Sequence, residues 1–386
     1  VSGSANTALG KSTLLKNTGS NNTAVGHNAL ACNTSGANNT AAGKNSLDSN
    51  TTGTNNTAAG LDSLGANTAG CQNSAFGKDS LKLNTTADKN TAFGDSALRQ
   101  NTTGSTNVAV GVSALLSNTT ANSNTAVGFR ALCLNTTGAN NTSMGYEALV
   151  ANTTAASNTA VGKAAMGANT TGSNNTAIGK DSLKANTTGT QIVAIGTLAL
   201  DANTSGNELT AMGYNSLGAN TTGCYNVAVG DNALAANTTG NDNTTIGMRS
   251  LLGNTTGTKN SSVGRNALRC NTTGTENTAV GNEALCGNST GNYNTAVGSF
   301  ALLDVDAGAN DNTAVGRSSM ITLTTGDGNT AVGSQSLRSS TTSGNNTAVG
   351  FCALYTNTTA SDNTAIGVVA LLSNTTGADN TSVGSG

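Results

Sequence analysis

Apolar residues recur along this chain at one fixed step. The repeated text is N-T-A-V-G-x-x-A-L-x-x-N-T-T-G-x-N, numbered here 1 to 17. Position 5 is Gly in all 23 copies, from Gly10 and Gly26 to Gly367 and Gly384, and 20 of the 22 intervals between these glycines are 17 residues long. Position 9 is Leu in 20 of 22 copies and Met in the other two (Met166, Met320), while position 4 is apolar throughout. A helix does not suit the unit, because Gly, Asn-Thr-Thr and β-branched residues oppose it within so short a period. The T-A-V segment alternates in the manner of a strand and is punctuated by Gly and Asn. Each unit must stack on its copies to bury anything. The pattern therefore predicts an all-β parallel β-solenoid (β-roll) of about 22 coils, 17 residues per coil. Residues 1–386 read as a single continuous repeat array. One coil is irregular, at 303–308, where Leu303-Asp304-Val305-Asp306-Ala307 replaces the usual middle.

Substitutions within the repeat predict which way side chains face. Val108, Val193 and Val227 replace the usual Thr at position 2, so that site values shape over its hydroxyl. Positions 2 and 4 are accordingly expected to point into the coil with Leu at position 9. Position 3 would then point outward. It is Ala in 19 of 23 copies and otherwise Ser143, Thr245, Ser262 or Ser382, a restriction that suggests close packing on another chain. The expected interchain contacts are Ala24, Ala109, Ala126, Ala160, Ala177, Ala228, Ala279 and Ala296. A thin core of one Val and one Leu per turn points the same way, toward a multichain fibre. Asn and Thr columns are expected to form hydrogen-bonded ladders at the strand spacing of roughly 4.8 Å.

Composition narrows the function. The 386 residues include 49 Gly, no Pro, no Trp and only 9% charged residues, with a net charge of −2. There is no basic cluster for nucleic acid and no apolar run long enough to span a membrane. Both ends fall in mid-pattern without a polar cap, so the array is expected to be an excerpt of a longer protein. No catalytic group recurs, and no enzyme activity, cofactor or metal is expected. The lone histidine, His27, has no partner at ligand spacing. Lys78-Asp79 and Lys180-Asp181 read as solvated pairs. Of seven cysteines only Cys270 and Cys286 lie on neighbouring turns, which makes them the one candidate disulfide. Asn-Thr-Thr and Asn-Asn-Thr match the glycosylation sequon in nearly every turn, but ladders explain them better than a glycan on each coil.

Asn107-Val108-Ala109-Val110-Gly111 and Asn226-Val227-Ala228-Val229-Gly230 resemble the head repeats of YadA-like trimeric autotransporter adhesins. The text is also similar to the repetitive shafts of phage tail-fibre-like proteins and giant bacterial surface proteins. The resemblance implies a left-handed β-roll three chains wide, with a homotrimer as the assembly. The unit departs from the family in its longer period and its added A-L-x-x-N-T-T-G segment. The expected function is a non-catalytic, structural or adhesive fibre shaft, extracellular, on a cell surface or virion. It would self-associate through the Ala column and reach a host or prey cell surface through regions outside this sequence. Alternatives are a ligand-binding solenoid surface, for ice or glycan, and a phage tail-fibre shaft.

Overall fold

The computed structural model describes residues 3–305 and 308–386; Val1, Ser2, and Asp306 and Ala307 of the irregular coil lie outside the described residues. The chain falls into two compact units, residues 1–192 and 193–386. Each is a parallel β-solenoid, and together they hold about 22 coils. The first unit carries eleven three-residue strands, β1 (Thr7–Leu9) to β11 (Thr176–Ile178). The second carries twelve, β12 (Val193–Ile195) to β23 (Thr381–Val383). Every strand occupies positions 2 to 4 of its repeat. Consecutive strands within a unit pair in parallel and in register, as in Thr159↔Thr176, Ala160↔Ala177 and Val161↔Ile178, or Thr278↔Thr295, Ala279↔Ala296 and Val280↔Val297. The remaining fourteen positions turn the chain through a full circuit, with no helix among the described residues.

The strands face the opposite way from the sequence expectation. Ala at position 3 is the inward residue, and Ala24, Ala109, Ala126, Ala160, Ala177, Ala228, Ala279 and Ala296 are all 0% exposed within a single chain. They therefore cannot meet a neighbouring chain. Positions 2 and 4, expected inside, form the outer face: Val108, Val110, Val227 and Val229 are half-exposed. The reason is the width of the coil. Its interior already holds Ala at position 8, Leu at 9 and asparagines at 1 and 12, all buried in the coil of Asn107, Ala114, Leu115 and Asn118. A methyl group fills the space left opposite the strand; a second bulky rank would not fit at native packing density. Restriction to small residues signals a crowded interior here.

The asparagine columns hold the coils together. At position 12 most side chains donate one amide hydrogen to the asparagine of the preceding coil and the other across their own turn. Asn118 Nδ2 reaches Asn101 Oδ1 at 2.8 Å and the Ala121 carbonyl at 3.0 Å. At position 1 the amide spans the coil, from Asn107 Nδ2 to the Ala121 carbonyl at 2.9 Å. Its Oδ1 accepts the backbone N–H of the next coil, Asn124, at 2.9 Å. A threonine ladder runs beside them, with Thr102 Oγ1 donating to the Thr119 carbonyl at 3.0 Å. The expected ladders are thus present, and the asparagines lie inside rather than on the corners.

Two backbone features explain the most restricted columns. The anchor glycine has φ near +130°, and a Cβ on Gly128 would lie 2.4 Å from the Gly145 carbonyl oxygen, so conformation and space both exclude a side chain. Leu at position 9 adopts a left-handed conformation, as in Leu115 at φ 51°. That region is costly for bulky residues and worse for β-branched ones. Position 9 admits Leu and Met but never Val or Ile, although position 4 takes both freely.

Candidate functional site

The outward face of the strands is a continuous surface feature of each unit. It consists of two ranks running across neighbouring coils: Thr, Ser or Val at position 2, and Val, Ile or a larger apolar residue at position 4. No charged residue occurs at positions 2 to 4 of any of the 23 strands. In the first unit the position-4 rank is uneven, with Ala42 and Ala59 beside Phe76 and Phe93, whose rings lie 5.6 Å apart. In the second unit it becomes regular. From β15 (Thr244–Ile246) to β23 (Thr381–Val383) every strand shows Thr or Ser followed by Val or Ile. Val280, Val297 and Val332 are 40%, 37% and 38% exposed. Position 6 adds a second exposed column, where Phe129 stacks on Tyr146 at 5.3 Å and Lys163 Nζ lies 5.9 Å from the Tyr146 ring centre.

Charged residues form one local cluster worth describing. Lys82 Nζ bridges Asp62 at 3.0 Å and Asp79 at 2.9 Å. The Asn45 amide, then Lys82, holds the Asp62 carboxyl below its ordinary range. Burial, and then repulsion from Asp62, lifts the Asp48 carboxyl. Asn45, Asp48, Asp62 and Lys82 line a shallow hollow with Ser49 and Leu83. Lys78 and Lys180 sit 3.8 Å from the adjacent Asp79 and Asp181, while Lys184 makes the closer approach to Asp181, at 3.1 Å. His27 is exposed. Among the described residues no group of three or more His, Cys, Asp or Glu is placed to hold a metal ion, and no helix is long and apolar enough to cross a membrane.

The structure brings Cys270 and Cys286 together as free thiols. The Cys270 amide donates to the Cys286 carbonyl at 3.0 Å across adjacent coils. Burial, and then the nearby Cys270, pushes the Cys286 thiol up. The sequons separate into two classes. Those at position 12, such as Asn118-Thr119-Thr120, have a buried asparagine with both amide hydrogens engaged. Those at position 17, such as Asn140-Asn141-Thr142, have an exposed one.

Sequence reasoning missed the outer face, although one signal for it was present. Position 4 tolerates Ala, Val, Met and Phe, a range of volumes that a close-packed interior would not accept. No protein-family model matches this chain and no curated protein matches it, so the likeness to adhesin head repeats rests on the residues of the repeat alone.

Proposed function

We propose that this chain is a non-catalytic shaft of an extracellular fibre, on a cell surface or virion, that works by holding other parts at a distance. The observation that carries this reading is the pair of buried asparagine ladders. They tie each coil to itself and to its neighbours through buried side-chain amides, so that one repeat stacks on the next in a fixed step. At roughly 4.8 Å per coil, a stack of eleven or twelve coils extends roughly 55 Å, so length is what the repeat produces. The resemblance to adhesin heads and tail-fibre shafts supports the same reading and suggests a homo-oligomer, with three chains as the number it implies. Attachment to a host or prey surface would belong to regions outside this sequence.

Electron microscopy of the purified chain tests the proposal. The expected particle has a long dimension set by the number of repeats. A deletion of exactly three repeats, residues 203–253, should shorten it by about 14 Å without loss of β-sheet circular dichroism. A compact globular particle, or no change in length on deletion, would sink the shaft reading.

A further inference from the structure

We infer that the Thr/Val face of the strands, and not the alanine column, is where a second copy of this chain packs. The inference rests on the shaft reading and names the partner that the shaft meets. Four observations converge on it. The face is apolar: position 4 is 36–45% exposed at Ile246, Val263, Val280, Val297, Val332, Val349 and Ile366. It is uncharged along its whole length, whereas charged side chains are frequent at positions 6, 7, 10, 11, 16 and 17. It is straight in register, Thr on Thr and Val on Val, through successive pairings such as Thr330↔Thr347 and Val332↔Val349. Within its own coils it stays open: positions 2 and 4 of these strands are half-exposed or exposed while position 3 is buried in the coil interior on the other side of the sheet.

Size and periodicity select the occupant. A three-residue strand covers roughly 50 Å² of sheet, so the twelve strands of the second unit present roughly 600 Å². That equals the largest apolar patches usual on a monomer, at roughly 300–600 Å². Two such faces together would bury about 1,200 Å², above the roughly 1,000 Å² expected of a specific interface. A partner that fills the face must repeat its Thr and Val ranks at the same coil-to-coil step over many coils. A second copy does so by construction. Identical flat ranks of β-branched side chains also interdigitate as dry sheet-to-sheet contacts about 10 Å apart. Edge pairing is not required, and the ladders within each copy stay intact.

The test is the mass of the full chain in solution, with matched surface variants. The wild type should sediment at a multiple of 37.7 kDa at micromolar concentration. The triple variant Val280→Lys, Val297→Glu, Val332→Lys places charges on the face and should weaken association by about tenfold or more, because they must be desolvated unpaired. The control Asn282→Lys, Ser299→Glu, Ser334→Lys puts the same charges two residues along, on position 6, and should keep the wild-type mass. A second face variant, Thr278→Val, Thr295→Val, Thr330→Val, guards against simple unfolding and should associate more tightly. The proposal is overturned if the wild type is monomeric, if the charged face variant keeps the wild-type mass while folded, or if the valine variant associates no more tightly. A monomer that depresses freezing in a Val332-dependent way would assign the face to ordered water instead. A thin monomeric particle would sink this inference alone; a globular one would sink the shaft reading with it.

Discussion

At the scale of single residues, the buried alanine column shows how little room the coil has. Where a polar residue enters that column, its hydroxyl must find an acceptor at once. Ser143 Oγ donates to the Ala148 carbonyl at 2.7 Å and Ser262 Oγ to the Ala267 carbonyl at 2.9 Å. Thr245 is also 0% exposed, yet its Oγ1 has no partner. A buried unsatisfied hydroxyl costs about 1–3 kcal/mol. Thr245→Ala should therefore stabilise the chain by about 1 kcal/mol, after allowing for the lost methyl contacts. Differential scanning calorimetry checks the sign: a lower melting temperature for the variant would mean that the hydroxyl is satisfied in solution.

At the scale of the coil, the two asparagine columns differ in which group a substitution orphans. Position 1 uses its Oδ1 on a backbone N–H, which every residue except proline supplies. When Ile192 takes that position, Asn175 Oδ1 still accepts the Ile192 N–H at 3.0 Å. Position 12 uses its Oδ1 on the next coil's side-chain amide, which vanishes with the side chain. Asn118→Leu should thus orphan Asn101 Oδ1, which accepts only from Asn118 among ladder partners, and also leave the Ala121 carbonyl with one donor fewer. A loss of about 2–4 kcal/mol is expected, from one unsatisfied buried acceptor and a crowded leucine. Asn141→Leu at position 1 keeps its own N–H for the preceding coil but removes the acceptor of the buried Asn158 N–H, so a comparable loss is expected in the same urea titration. A loss near zero at Asn141 would show that the Asn158 N–H finds another partner.

At the scale of the whole molecule, the position-12 ladder loses its asparagines over one stretch of the second unit. Val305, Leu323 and Ser340 replace three successive asparagines. The buried amides on either side carry the consequence: Asn288 Oδ1 has lost the donor of the next coil and has no partner, and Asn357 Nδ2, without an asparagine before it, turns to Ser343 Oγ at 3.4 Å. Repeat proteins open where neighbour-to-neighbour terms are weakest. Hydrogen exchange followed by mass spectrometry should show peptides within 288–357 exchanging faster than those within 220–288. Uniform protection across both stretches would show that the apolar contacts of Val305 and Leu323 compensate fully for the missing amides.

The sequence by itself determined the period, the strand at positions 2 to 4, the parallel stacking and the existence of ladders. Each follows from local rules: a glycine that must be left-handed, strand alternation, and copies that can bury surface only against one another. Leu or Met without Val or Ile at position 9 was a readable sign of left-handed backbone as well. What only the tertiary structure decided was the facing of the strand. Alternation states that positions 2 and 4 share a side and that position 3 takes the other, but it is silent on which side is inside. That choice depends on the width left between opposite walls of the coil, set by leucine and two asparagines that lie far away in the repeat. They leave space for a methyl group, so alanine goes in, and the valines and threonines are left on the outer face.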